Sequence, residues 1–598
     1  MFQGFETTAD PAHGAARLAA LRAEMKAEGL AAFIVPRADV YQGEYVAECD
    51  ARLAWLTGFT GSAGFCIVLR DEAGVFIDGR YRSQVSDQVD LAQFTPVNWP
   101  ETTAGDWLAA RLNTGNRVGI DPWLHTTREV EAIDKALAKV GAGVHPVANL
   151  VDRIWTDRPA PPAEAISEQP IELTGVSAQE KCQIIARTLR DDGDEAVVIT
   201  LPDSVCWLLN VRGRDIAHNP VVQAMAILTE SGHVTVFTED RDLGPLAEMD
   251  AVTVTGPKAF PAALQGLSGP VRVDRTSAPH AVGQLLAEKG IPVHWEADPC
   301  ALPKARKTEA ELNGTRAAHL RDAAAVVEFL HWYDATLPES ELTEIDLVTE
   351  LEGFRRATNA LEDISFETIS GTGPHGAVIH YRVTRETNRQ LAKGDLVVLD
   401  SGGQYRDGTT DITRTLPVGD VDADERAAFT RVLKGMIAIS RARFPRGVTG
   451  AHLDALARYP LWLAGMDYDH GTGHGVGSYL SVHEGPQRLS RLSDVPLEPG
   501  MILSNEPGYY RDGAFGIRIE NLIAVREADR LPGGDDRDFL CFETLTYVPI
   551  DRRLILPDML DAGERAWLDA YHRACLDKLG SKVTGAARLW LARACAPL

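Results

Sequence analysis

Between Leu396 and Glu520 the chain sets acids and histidines into apolar, strand-like segments, where a solvated charge has no reason to be. LVVLDSGGQY (396–405) closes an apolar run on Asp400, and DGTTDITRT (407–415) places Asp411 among β-forming residues. MILSNEP (501–507) and FGIRIENLIAV (515–525) read as strands with one acid inside, Glu506 and Glu520. DHGTGHGVGSYLSVHEGP (469–486) adds His474 in a glycine-rich loop, where missing side chains leave room for close approach. A buried carboxylate is costly unless it is paired or bound to a metal. The fold must therefore bring these acids together. The segments around Asp400 and Asp411 predict two antiparallel strands joined by a polar turn, with both aspartates facing one interior.

Taken singly, each residue has an ordinary reading. A strand aspartate is often a turn cap or a half-exposed salt-bridge partner. Glu506 before Pro507 reads equally well as an exposed strand end, and Glu520 as a partner for Arg518 two residues away on the same strand face. The conjunction shifts the balance. One imidazole and four carboxylates make a hard, oxygen-rich set that suits Mn²⁺, Co²⁺, Fe²⁺ or Mg²⁺ better than a structural zinc site built on thiolates. Four carboxylates exceed what one divalent ion needs and nearly neutralise two, with charge to spare for a bridging hydroxide.

The bulk numbers bound the rest. A chain of 598 residues exceeds one hydrophobic core, so two to four domains are expected. The formal net charge of −25 argues against nucleic acid as a partner and otherwise reads as solubility. Eight scattered cysteines form no CxxC pair, the usage of a reducing compartment. The start, MFQGFETTADPAHG, has no basic or apolar leader, and no apolar run reaches about 18 residues. A cytoplasmic protein with no membrane partner is expected.

Residues 14–29 repeat apolar positions at helical spacing before a strand-like AAFIVP (31–36). In 50–69 the glycines punctuate a turn between two apolar strands. A strand at 118–122 and a helix at 126–140 continue an alternating α/β pattern. RPAPPAEAISEQP (158–170), with four prolines, is the clearest linker. A second α/β segment of similar length and order follows, and a second boundary lies in DPCALPKARK (298–307). Helices are predicted from Glu309 to about Trp332 and from Thr343 to about Arg356, with Thr343 as a cap.

The ordered set LDSG, TTDITRT, HGTGHGVG, SNEPGYY, GIRIEN resembles the metal site of the pita-bread peptidases, family M24. Flanking stretches, among them RLAWLTGFTGSAG, WLLNVRGRDIAHNPVV, KTEAELNGTRAAHLRDAAA and FLCFETLTYVPID, extend the likeness along nearly the whole chain, toward the long three-domain, cytosolic Xaa-Pro aminopeptidases. The resemblance implies an α/β (α+β) fold class. Two creatinase-like α/β domains, 1–158 and 159–305, would precede a pita-bread catalytic domain with a C-terminal extension, 306–598. It implies a dinuclear site: Asp400 chelating one ion, Asp411 and Glu520 bridging, and His474 and Glu506 completing the other shell. Mn²⁺ comes first, with Co²⁺, Zn²⁺ or Fe²⁺ as alternatives.

It further implies a proline-specific metallopeptidase, a hydrolase that removes the first residue of X-Pro peptides by attack of a hydroxide bridging two ions. Glu506 would carry the proton. His380 in VIHY and His483 in SVHEG would lie near the scissile carbonyl and donate hydrogen bonds to developing charge, His470 would shape the proline pocket, and Arg518 would pair with a ligand carboxylate. A homodimer is implied as well. The alternatives are a prolidase acting on X-Pro dipeptides and a non-catalytic pita-bread module that binds peptide or protein. The long leader and the late FETLTYVPID disfavour the first, and the complete ligand set disfavours the second.

Overall fold

A computed structural model describes residues 1–598. The chain divides into two compact units. One comprises Thr8–Ile171 and Val176–Ala301, the other Met1–Thr7, Glu172–Gly175 and Leu302–Leu598.

The first unit is built on two six-stranded mixed sheets. One runs in the order Thr95–Asn98, Ala73–Ile77, Phe65–Leu69, Ala32–Pro36, Arg117–Ile120, Gly143–Pro146. The other runs Val252–Thr255, Val234–Phe237, Met225–Thr229, Ala196–Ile199, Val271–Val273, Val293–Trp295. In each, the fourth strand of the order is antiparallel to the third and parallel to the fifth. The outer pairings match as well, so a duplication that no sharp sequence repeat betrays is plain in the topology. One expectation needs correction. RLAWLT is a short helix, Arg52–Thr57, and not a strand. Leu53 and Leu56 are buried three residues apart, and Gly58 at φ +87° closes the helix in the left-handed region. The proline-rich stretch 158–170 carries only the two-residue strand Ser167–Glu168.

The second unit opens with helix Glu309–Thr336, capped reciprocally by Thr308 and Glu311. Helix Glu344–Arg356 follows under the expected Thr343 cap. A three-stranded sheet sets Leu396–Ser401 between Ile369–Thr372 and Ile412–Pro417. A six-stranded sheet runs Arg443–Pro445, Phe539–Thr544, Asn521–Glu527, Ile502–Asn505, Gly473–Gly475, Glu484–Leu489. Leu396, Val397 and Leu399 pack with Phe429, Val432, Met436 and Ile437 of helix Ala423–Ser440, and with Leu568 of helix Ala562–Leu579. Thus the core that supports the first sheet also fixes the two helices behind it.

The site acids sit differently from the sequence expectation. Asp400 lies inside its strand, opposite Ile369 and Thr413. Asp411 immediately precedes Ile412–Pro417, Glu506 follows Ile502–Asn505, and Glu520 fills the gap between Phe515–Arg518 and Asn521–Glu527. His474 belongs to the short strand Gly473–Gly475 and not to a loop. At a strand break the backbone leaves the ladder, and the side chain turns into the space between the sheets. Gly516 is needed for the same closeness: a Cβ there would meet the Gly376 carbonyl oxygen at 1.7 Å.

Candidate metal centre

Strand Ile412–Pro417 is stitched to residues 518–521 beside these acids. Glu520 N–H donates to the Thr413 carbonyl at 3.1 Å. The Thr413 hydroxyl donates to Glu520 Oε2 at 2.8 Å, and the Thr415 hydroxyl to the Arg518 carbonyl at 2.9 Å. Arg414, buried, donates to the carbonyls of Glu520 at 2.6 Å and Val548 at 2.7 Å, and to the Asn521 side chain at 2.8 Å. Three consecutive strand residues, 413–415, therefore tie this strand to the place where Phe515–Arg518 hands over to Asn521–Glu527.

His474 Nε2 lies 3.4 Å from Asp411 Oδ2 and 3.4 Å from Glu506 Oε1. Its Nδ1 bonds the Gly475 carbonyl at 2.9 Å, which assigns a proton to Nδ1 and turns Nε2 toward the acids. Ligand atoms of Asp411, His474 and Glu520 all lie within 4.8 Å of one another. Arg518 Nη2 donates to Asp400 Oδ2 at 2.7 Å, and the Ser504 hydroxyl to Glu506 Oε1 at 3.1 Å. One oxygen each of Asp400, Asp411 and Glu520 is buried with no hydrogen-bond partner. Orphaned carboxylate oxygens in a cluster with an imidazole are what a cation would satisfy and a hydrogen-bond network does not.

The electrostatics agree. Burial, above all, pushes the carboxyls of Asp400, Glu506 and Glu520 up. The Arg518 guanidinium holds Asp400 back, and the His474 imidazole does the same for Glu506. For Glu520 the neighbouring Asp411, Glu506 and Asp400 add to the upward push. At His474 burial opposes the charged ring. The hydrogen bond to Asp411 and the charge of Glu506 outweigh it and push the imidazole up to about 9. The pocket retains protons because its carboxylates are buried and crowded against one another. Cations would displace those protons, as ligand sites that must deprotonate on binding do. The donor set fits a pair of hard divalent cations.

Glu520 does not pair with Arg518, the ordinary alternative to a ligand role. Arg518 reaches Asp400, whereas Glu520 takes the Thr413 hydroxyl. Of the outer histidines, His483 places its ring 4.2 Å from that of His474, edge to face. His470 Nε2 lies 2.9 Å from the Tyr510 hydroxyl, which accepts from Arg518 Nη1 at 2.7 Å. His380 follows Ile379, whose carbonyl accepts from the same Nη1 at 3.3 Å. The structure thus links all three histidine segments to Asp400 or His474.

Tyr510 and Arg414 escaped the sequence reading. Both lie inside quoted motifs, and a strand arginine between two threonines was a usable signal for Arg414. Also missed was the buried cluster beside His483, where Glu484 is paired with Lys307 and lies 3.5 Å from Lys304. Its partners come from a boundary segment that composition marked only as a break.

Comparisons with known proteins follow the same outline. The profile of metallopeptidase family M24 matches residues 313–527, and that of its C-terminal region 538–598. Profiles of the creatinase/prolidase N-terminal domain match 17–154 and 157–311. A probable Xaa-Pro aminopeptidase P of Laccaria bicolor is 39% identical over 607 residues, covering 97% of this chain and 93% of its own. Aminopeptidase P2 of Arabidopsis thaliana is 38% identical over 608 residues, covering 94% and 85%. The crystal structure of X-prolyl aminopeptidase from Caenorhabditis elegans, described as a cytosolic enzyme with a di-nuclear active site, superimposes with a TM-score of 0.93 at 33% identity. That match covers 98% of this chain and 100% of the other.

Proposed function

The chain belongs to metallopeptidase family M24, and from that premise we propose how it carries out metal-dependent removal of the N-terminal residue from peptides with proline second. The observation that carries the reading is the convergence of four carboxylates and one imidazole with three orphaned oxygens, in a chain matched end to end by Xaa-Pro aminopeptidases.

Asp400, Asp411, His474, Glu506 and Glu520 are the residues that would hold two divalent cations. When bound, such a pair polarises the scissile carbonyl and lowers the pKa of the attacking water. Glu506 receives the proton of that water and delivers it to the proline nitrogen, the leaving group. His483 and His380 donate hydrogen bonds to the carbonyl oxygen as its charge develops. His470, fixed through Tyr510, shapes the surface that receives the proline ring. Arg518 counters the upward push of burial on Asp400 and aims it, so its part is orientation and charge balance.

The finer assignments belong to the same proposal. Mn²⁺ is the favoured ion, because the donors are oxygen-rich and include no thiolate; Co²⁺, Zn²⁺ and Fe²⁺ are alternatives. Domain limits of 1–158, 159–305 and 306–598 are supported by the profile boundaries at 154/157 and 311/313. A homodimer is supported by Leu456, Tyr459, Trp462 and Leu463, large apolar side chains exposed on and just after helix Gly450–Trp462. A cytoplasmic setting is supported by eight buried cysteines with no disulfide among them. No helix is long and apolar enough to cross a membrane.

The test sets an X-Pro-Y tripeptide beside an X-Pro dipeptide, with metal analysis of the purified chain. Cleavage of the tripeptide, lost to a chelator and restored by Mn²⁺ with two ions per chain, is expected. Cleavage of the dipeptide alone would reassign the chain as a prolidase.

A further inference from the structure

Residues Phe2–Glu6 lie on the catalytic unit, among segments more than 340 positions away in sequence. Gln3 makes a two-way bond with the backbone of Thr368: its Nε2 donates to the carbonyl at 3.2 Å, and its Oε1 accepts the amide at 2.7 Å. Thr368 directly precedes Ile369, the residue that pairs across the sheet with Asp400. Glu352, buried, accepts the Phe2 amide at 2.8 Å. The Phe5 ring packs in a small core with Val348, Ile369, Tyr381 and Val383. Its carbonyl accepts the Arg385 amide at 2.9 Å. Arg382 donates to the carbonyls of Gly4 at 3.1 Å and Glu6 at 2.9 Å.

The segment so gripped, 378–385, contains His380 and has no helix or strand of its own. An irregular segment owes its position to what is packed on it. On its other side the buried Glu344 carboxylate accepts from the Tyr381 hydroxyl at 3.1 Å and from the Arg389 amide at 3.0 Å. Glu344 and Glu352 stand on one helix, so the same rigid element anchors both the segment and the N-terminal residues.

We propose that residues Phe2–Glu6 form a strap that positions His380 for the reaction, with Gln3 and Phe5 as its positioning residues. The inference rests on the substrate role given to His380 above. Phe5 closes the apolar side of the segment and its carbonyl supplies a backbone partner that a neighbouring strand would otherwise provide, while the Gly4 and Glu6 carbonyls hold the Arg382 side chain. Gln3 sets the register of the strap against the strand beside Asp400.

The test compares the full chain with a form lacking residues 1–7, and with Phe5→Ala and Gln3→Ala should the deletion not fold. Amide exchange across 378–385 is expected to rise at least tenfold on deletion, with the six-stranded sheet unaffected. Unchanged protection there overturns the strap whether or not peptide is cleaved, so its failure is separate from failure of the peptidase reading. With an X-Pro-Y peptide, kcat is expected to fall about tenfold while two metal ions per chain are retained. On a His380→Ala background the same deletion is expected to add less than a twofold loss, since both changes remove one function. An undiminished loss on that background, or a loss that follows metal release, overturns the positioning of His380.

Discussion

Arg518 faces two ways, and its partners decide how the centre is held. One guanidinium nitrogen takes Asp400 and another takes the Tyr510 hydroxyl, which in turn meets His470. Tyr510→Phe removes that shared hydroxyl without changing the ring. A hydrogen bond to a charged group is worth about 1.5–3 kcal/mol, so kcat/KM should fall roughly 10- to 100-fold. Steady-state kinetics beside a thermal melt checks this; a fall in melting temperature large enough to explain the loss would refute the relay. Glu506→Gln is expected to fold and to lose turnover by about 10²–10⁴-fold, the span of general acid–base work. Turnover near wild type at saturating metal would take the proton-carrying role away from Glu506.

Helix Ala562–Leu579, the last but one of the chain, supports the centre through Arg414. Its Tyr571 hydroxyl accepts from Arg414 at 3.0 Å and donates to the Val548 carbonyl at 2.7 Å. The next residue, His572, is buried and accepts the Ile550 amide on Nε2 at 3.1 Å. Burial first, then the charges of Arg552 and Arg414, lower its imidazole to about 4. The unfolded chain takes up this proton near the ordinary value of about 6.5, so it binds more protons than the folded chain between the two values. The contribution of His572 is therefore complete above pH 6.5 and is lost as pH falls toward 4. The loss is on the order of 3 kcal/mol. Urea unfolding of wild type and His572→Gln from pH 7 to 4 should show the wild-type advantage shrinking by that amount. A difference that stays constant with pH would mean that His572 is not held neutral.

For the whole molecule, the division into two compact units has a thermodynamic consequence. All five proposed ligands belong to the unit built on Leu302–Leu598, so cations stabilise that unit directly. A site at 100 times its Kd adds about 2.7 kcal/mol. Calorimetry with and without a chelator should move the transition of this unit and leave that of Thr8–Ile171 with Val176–Ala301 in place. Equal shifts of both would show that the two melt as one cooperative body.

What the sequence determined by itself was local and chemical. Thr343 announces its helix because a cap bonds within three residues of itself. The five proposed ligands stand out because four acids in strand-like segments and a histidine among glycines violate the burial pattern together, although each taken singly has an ordinary reading. The alternation of strands and helices gave the α/β class of the leading half. Only the tertiary structure decided the partners. Arg518 turns to Asp400, 118 positions away, and not to its neighbour Glu520. Arg414 reaches Val548, and Gln3 reaches Thr368 across 365 residues. No periodicity encodes which buried donor meets which acceptor. That choice follows from how sheets and helices stack, and the burial of many side chains at once sets it.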